Sequence, residues 1–233
     1  MSRNCIAIIP ARGGSKRLPR KNITPVLGRP MLSYPVTSAL ESRLFHRVVV
    51  STEDKEIRRK AREAGASVMK RPRVLSEDDA PVTRVCQQVL EELSENKELP
   101  DYFCCIYATA LFITPEDLAE SFGLFFQEPL PDVVMGVSAF DLYPVQALEK
   151  NGEFLQPKWP EYMQRHSRDY PYLVASNGTF YWASTDYFLQ HPDFYPKRLK
   201  GYTIPRCRSI DVDTREDLHF VHLLAEKIFG SPS

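Results

Sequence analysis

The chain has 233 residues, a length that suits one sizeable domain with its own buried core. Lys plus Arg and Asp plus Glu both total 30, so the formal net charge is zero. That balance argues against a general nucleic-acid binder, which more often carries a basic excess, and makes any basic site local. No apolar run approaches the roughly 18 residues of a membrane span. Met1-Ser2-Arg3-Asn4 leads straight into a short apolar run without a signal peptide's longer apolar region, so a cytoplasmic location is expected. The five cysteines, Cys5, Cys86, Cys104, Cys105 and Cys207, have no zinc-type spacing and read as buried, reduced structural thiols.

Cys5-Ile6-Ala7-Ile8-Ile9 is an apolar run ending at Pro10, the pattern of a buried parallel strand. A polar, glycine-bearing loop follows. Pro30 is placed to open a helix through about Ser42, with Met31, Leu32, Tyr34, Val36, Ser38, Ala39 and Leu40 inward; Pro35 is expected to kink it or delay its start. Arg47 to Ser51 reads as the second strand. Glu53 to Ala64 reads as a charged helix, with Gly65 where a C-terminal cap belongs. Val68-Met69 is a short strand. Val82, Val85, Cys86, Val89, Leu90 and Leu93 follow helical spacing. Tyr102 to Tyr107 is a strand, Pro115 to Gln127 a helix and Asp132 to Ser138 a strand.

This alternation predicts an α/β fold whose sheet is mainly parallel with helices on both faces. Periodicity is lost between Phe140 and Ser176, where prolines interrupt the chain and tyrosines are interspersed. So long an irregular stretch is unlike the inside of a compact domain. We read 140–176 as an inserted arm and dimerisation element of a single 1–233 domain. The core resumes with Thr179 to Ala183. It ends in a helix from Thr214 to Phe229 with Leu218, Val221, Ala225, Ile228 and Phe229 on one face.

Ligands in such sheets bind beyond the carboxyl ends of the strands. The loop Ala11-Arg12-Gly13-Gly14-Ser15-Lys16-Arg17-Leu18-Pro19-Arg20-Lys21-Asn22 lies there, with five cations and no acid. Its glycines allow a sharp turn and close backbone approach, and successive N–H groups in such a turn can form an anion-binding concavity. The spacing matches neither a Walker A motif nor G-x-G-x-x-G. On chemistry alone the loop is a polyphosphate cradle or a solvated basic patch.

Ile9 to Asn22 resembles the signature of the acylneuraminate cytidylyltransferases, the CMP-sialic acid synthetase family. Further similar segments follow in order: Val50-Ser51-Thr52-Glu53-Asp54, Arg71-Pro72 with Leu75-Ser76-Glu77-Asp78, Asn177-Gly178 with Phe180-Tyr181, and Ser209-Ile210-Asp211-Val212-Asp213-Thr214. The resemblance implies a Rossmann-like fold of the nucleotide-diphospho-sugar transferase type. It implies an enzyme that takes CTP and a nonulosonic acid and forms a CMP-sugar and pyrophosphate. It implies a homodimer and a divalent cation, Mg2+ or Mn2+. Ala11, Arg12, Gly13, Gly14, Ser15, Lys16, Asn22 and Arg71 would hold the nucleotide. Arg12, Lys16 and Lys21 would stabilise charge on the triphosphate, with Asp211 acting beside them.

Asp211 and Asp213 stand at i and i+2, which in a strand share one face. Both are candidates for the cation, which favours oxygen ligands. The alternative is that Asp213-Thr214 only caps the last helix.

The sugar end departs from the commoner sialate enzymes, which read Q-P-T-S-P-L-R after the third strand. Here Tyr107-Ala108-Thr109-Ala110-Leu111-Phe112-Ile113 stands instead, with Tyr107 for the glutamine and Ile113 for the arginine. This stretch, His166-Ser167-Arg168-Asp169-Tyr170-Pro171 and Phe180-Tyr181-Trp182 resemble the pseudaminate branch, apart from Leu111 and Asn177. Tyr107, Thr109, Arg165, Arg168, Asn177, Phe180 and Tyr181 are therefore the candidate sugar contacts. Arg165 and Arg168 have the geometry to bind a carboxylate or to remain solvated. Phe112 and Trp182 read equally as core.

Overall fold

The computed structural model describes residues 4–77 and 79–230; Met1, Ser2 and Arg3, and Asp78 of the Leu75–Asp78 segment, lie outside these. In chain order, the strands and helices begin with β1 (Cys5–Pro10), β2 (Pro25–Val26), β3 (Arg29–Pro30), α1 (Ser33–Glu41), β4 (Arg47–Thr52) and α2 (Lys55–Glu63). Next come β5 (Ser67–Lys70), α3 (Val82–Glu95), β6 (Tyr102–Ile106), α4 (Pro115–Gly123) and β7 (Val133–Ala139). The chain continues with β8 (Leu148–Asn151), β9 (Phe154–Pro157), β10 (Val174–Ser184), α5 (Thr185–Gln190), β11 (Leu199–Thr203) and α6 (Arg215–Phe229).

Seven strands form one sheet in the order β11-β7-β10-β6-β1-β4-β5. β1 pairs in parallel with β4 and β6, β4 with β5, and β7 with β11. β10 alone runs antiparallel, between β6 and β7. The mainly parallel sheet expected from the alternation is present. Successive side chains of a strand point to opposite faces, and the two faces bury different helices. Ala7, Ile9, Phe180 and Trp182 pack with α1, α2 and α4; Ile6, Ile8, Tyr181 and Ala183 pack with α3 and α5. Trp182 is fully buried, stacks on Phe122 at 4.7 Å and donates its indole N–H to Ser121 Oγ at 3.1 Å. Its place is the core. So is that of Phe112, which stacks near Phe229 in a third cluster under α6.

Several local expectations are corrected by turn chemistry. Pro30 does not open the first helix. It closes the β2–β3 hairpin, whose Leu27 and Gly28 both have positive φ, 46° and 76°, as a tight two-residue hairpin turn requires. The helix starts at Ser33, so Pro35 falls in the first turn, where its missing N–H costs no helical bond. Leu40 faces solvent. In α6, Val221 and Ala225 are buried, whereas Ile228 and Phe229 are half exposed.

The end of α2 follows the sequence closely. Asp54 caps its start by accepting from the N–H groups of Glu56 and Ile57. At its end Gly65 has φ 94°, with Gly65 N–H on Arg62 O and Ala66 N–H on Ala61 O. Of the cysteines, Cys5, Cys86, Cys104 and Cys105 are buried, but Cys207 is exposed. No helix among the described residues is long and apolar enough to cross a membrane.

The 140–176 stretch is irregular at first, then forms the exposed β8–β9 hairpin. It rejoins the sheet at Val174, earlier than the sequence suggests. Its apolar side chains are largely uncovered: Leu142 is 83% exposed, Phe154 76% and Tyr172 80%.

Candidate active site

The ends of β1 and β6, the start of β10 and the segment before α6 enclose a cleft of about 640 Å³. The loop after β1 forms one wall. Asn22, 7% exposed, donates its amide to Arg12 O at 2.9 Å and so draws the two ends of the loop together. Arg20, in a left-handed conformation, pairs with Asp54 and Glu56 and fastens the loop to α2. Gly13 has no room for a side chain: a Cβ there would lie 2.9 Å from Asp54 Oδ2. Arg12, Arg17, Lys21 and Asn22 line the cleft, and Ser15 and Lys16 join them in an adjoining recess of about 340 Å³. Ala11 is buried, and its N–H continues the β1–β4 ladder to Ser51 O.

Arg71 enters from the turn after β5. It is 4% exposed, and its guanidinium donates to Ser51 O at 2.8 Å. Burial lowers its pKa, with Glu53 opposing this. A buried guanidinium bordering a cleft is suited to an anionic or carbonyl oxygen.

The facing wall carries Asp211 and Asp213. The expected strand is not there: residues 209–213 belong to no strand or helix. The alternation nevertheless survives, because Val212 is fully buried under α6 while both aspartates border the cleft. Asp213 pairs with Lys21 at 2.9 Å and Arg17 at 2.7 Å. Helix capping is done by Thr214, whose hydroxyl accepts from Asp217 N–H, while Asp217 accepts in return from the N–H groups of Asp213 and Thr214. Asp211 is left to the cleft. Desolvation and the neighbouring Asp213 raise its carboxyl above the usual range, against Lys21 and Arg17. Among the described residues no cluster of three or more His, Cys, Asp or Glu is arranged around a common point.

Arg208 holds this segment in place. It forms two bonds with Asp117, at 2.5 and 3.0 Å, and a third with Phe112 O at 3.2 Å. Burial works to raise the Asp117 carboxyl, and the bonds from Arg208 outweigh it, so the net shift is downward.

The third wall is β10. A register shift between Ser176 and Tyr181 accommodates Gly178, at φ 65°. Asn177 donates to Ser138 Oγ at 3.0 Å and accepts from the Thr179 hydroxyl at 2.6 Å. Gly136 on β7 makes room for this turn: a Cβ there would lie 2.2 Å from Thr179 Oγ1. Tyr107 and Tyr181 border the cleft with ring centres 5.9 Å apart, and desolvation pushes both phenols up. Thr109 borders it too.

Three sequence candidates lie elsewhere. Phe180 is fully buried on the opposite sheet face, as the period of two dictates for a neighbour of Tyr181. Arg165 sits over Tyr162 in the exposed arm, and Arg168 beside Asp169; neither borders the cleft of its own chain. Ile113, where the sialate pattern has arginine, is buried in the core. Arg17, Ser176, Tyr195 and Ser209 border the cleft without having been singled out. Arg17 was visible in the basic loop; Tyr195 stands in an irregular segment with no pattern to mark it.

An α/β sheet with a basic, glycine-bearing loop after its first strand, facing carboxylates across a cleft, is the arrangement of a nucleotidyltransferase. The chain belongs to the cytidylyltransferase family, whose profile matches residues 6–228. It is 34% identical over 223 residues to the pseudaminic acid cytidylyltransferase of Campylobacter jejuni, covering 94% of this chain and 95% of that protein. It is 29% identical over 228 residues to the CMP-N,N'-diacetyllegionaminic acid synthase of Legionella pneumophila, covering 95% and 96% respectively. Its fold is similar to a solved CMP:2-keto-3-deoxy-manno-octonic acid synthetase complexed with CTP. The TM-score is 0.72 at 18% identity, over 96% of this chain and 99% of that one.

Proposed function

We propose that this enzyme transfers CMP from CTP to the anomeric hydroxyl of a nonulosonic acid, with pseudaminate as the sugar, giving the CMP-sugar and pyrophosphate. The observation that carries the reading is one cleft bordered by Arg12, Lys21 and Arg71, by Asp211 and Asp213, and by the Tyr107–Tyr181 wall. The near full-length similarity to the Campylobacter enzyme supports the choice of sugar. So does the replacement of a glutamine of the sialate pattern by Tyr107, which borders the cleft. Tyrosines offer apolar area with a polar tip, which suits a deoxy, acylamino sugar.

In this reading Arg12, Lys16 and Lys21 hold the triphosphate and stabilise the charge that develops as pyrophosphate departs. Loss of one such contact costs about 3–4 kcal/mol in barrier. Gly14 supplies a backbone donor and Ser15 its hydroxyl, Arg71 and the carbonyl side of Ala11 meet the nucleotide, and Asn177, Thr109, Tyr107 and Tyr181 orient the sugar.

Asp211 fits a divalent cation, Mg2+ or Mn2+, because its carboxylate borders the cleft and the neighbouring Asp213 adds negative charge. Asp211 and Asp213 would hold it together with phosphate and water oxygens, the ligands such a cation favours. Such a cation would polarise the α-phosphate and ease ionisation of the attacking hydroxyl. The exposed arm, with Arg165 and Arg168, would dock on a second copy of the chain to form a homodimer.

A pyrophosphate-release assay with CTP and a panel of pseudaminate, legionaminate and N-acetylneuraminate tests the reading. Fastest turnover of pseudaminate supports it. Preference for either other sugar keeps the chemistry and replaces the substrate. No turnover with any of them removes the proposal.

A further inference from the structure

The loop after β1 is tied to the rest of the cleft by an acidic residue that the reading above does not use. Glu53, immediately after β4, accepts the Gly13 N–H on Oε1 at 2.7 Å. Its other oxygen, Oε2, lies 3.1 Å from the Ser76 hydroxyl, whose single proton it shares with Pro72 O at 3.2 Å. Ser76 closes the short helical turn Arg73–Ser76 that follows β5. One carboxylate therefore spans the phosphate loop and the turn that follows Arg71.

This contact bears on how the loop reads a triphosphate. The single hydrogen of Gly13 N–H bonds well to one oxygen at a time, so Glu53 and a phosphate oxygen compete for it. Two observations favour Glu53 keeping it. The 2.7 Å bond to Glu53 is intramolecular and already made, and a phosphate oxygen, also anionic, has no charge advantage with which to displace it. Gly13 is also pressed on Asp54, so the loop cannot shift toward α2. Beyond Gly13 the surroundings open: a Cβ on Gly14 would meet nothing within 4 Å. Gly14 borders a recess with Ser15 and Lys16, and those two also line the recess of Arg12, Arg17 and Lys21.

We propose that Glu53 is a positioning residue that braces Gly13 against Ser76 and so assigns the triphosphate to the Gly14–Lys16 stretch and the loop's cations. Gly13 then serves as a point of close approach, and its N–H is withheld from the nucleotide. The proposal rests on the loop being the triphosphate site.

The test is steady-state kinetics of Glu53→Ala, Glu53→Gln and Ser76→Ala in the full chain, with Lys16→Ala as the control on the underlying reading. Glu53→Ala raises KM for CTP by about tenfold, the worth of a hydrogen bond to a charged group, and leaves KM for the sugar unchanged. Glu53→Gln keeps an oxygen for Gly13 and an amide for Ser76, and restores KM for CTP to within about threefold of the parent. Ser76→Ala falls between the two.

Unchanged KM for CTP in Glu53→Ala overturns the brace. A lowered value overturns it as well, because the carboxylate would then be competing with the triphosphate. If Glu53→Ala does not fold, the other two variants decide: unchanged KM for CTP in Ser76→Ala, or a tenfold rise in Glu53→Gln, overturns the proposal. Unchanged KM for CTP in Lys16→Ala would instead remove the reading of the loop itself.

Discussion

Replacing Arg208 with methionine would leave Asp117 buried without its cation. The Asp117 side chain is 4% exposed and that of Arg208 25%. Removing one partner of a buried pair costs about 3–5 kcal/mol, mostly the penalty of the stranded charge. Asp117 keeps the Thr114 N–H at 2.9 Å and a share of the Tyr202 hydroxyl, which lies 3.2 Å away and 2.8 Å from Glu120, and this places the cost at the lower end, about 3 kcal/mol. For a chain of this size each kcal/mol lowers Tm by about 2–4 °C, so Arg208→Met should melt about 6–12 °C below the parent. Adding Asp117→Asn removes the stranded charge while keeping an acceptor for Thr114, and the double variant should recover about half of that loss. Thermal and urea unfolding of the parent, both single variants and the double measure this. A loss under about 1 kcal/mol in Arg208→Met, or full additivity in the double, would refute the clamp.

The same pair sets a pH dependence. The Asp117 carboxyl is held below its unfolded value, so its contribution is fully present above an unfolded pKa of about 3.9 and is lost as pH falls through the lower native value. The stability gap between parent and Asp117→Asn should therefore close in acid urea titrations and stay constant from about pH 5 to 8; a gap that widens in acid would reverse the assignment. Gly136→Ala should push aside the Thr179 hydroxyl and with it Asn177, costing about 1–3 kcal/mol in urea unfolding and raising KM for the sugar more than for CTP. Equal effects on both substrates would detach Asn177 from sugar binding. Asp211→Asn should lower turnover by about two to three orders of magnitude without loss of thermal stability, since the parent carboxyl is desolvated and crowded by Asp213. Near-normal turnover in that variant would exclude the cation role.

The sheet was legible because its strands are buried on both faces and therefore apolar throughout, as Cys5 to Ile9 and Tyr102 to Ile106 are. Helix limits were legible where a capping residue marked them, as at Gly65 and Thr214. The start of α2 was not: the sequence reading begins it at Glu53, two residues before Lys55, because Asp54 is not taken as its cap. Pro30 misled because a proline that can open a helix can also close a hairpin, and the Leu27-Gly28 turn decided between them. β11 escaped notice: its middle residues are Lys200 and Gly201, and an edge strand needs no continuous apolar run. The proposed nucleotide end of the site was readable because its cations cluster within one loop. The proposed sugar end draws on residues after β6, on β10 and on the segment holding Tyr195, brought together only by the fold. Phe180 and Tyr181 show the remaining difficulty: adjacent aromatics look alike in sequence, and only the phase of the strand sends one to the core and the other to the cleft.

The product itself decides whether this enzyme activates pseudaminate with CTP. Incubation with CTP, Mg2+ and pseudaminate, followed by mass spectrometry, should give CMP-pseudaminate and one equivalent of pyrophosphate, with no product when UTP replaces CTP. Absence of any CMP-sugar, under conditions where the Campylobacter enzyme converts the same mixture, would contradict it.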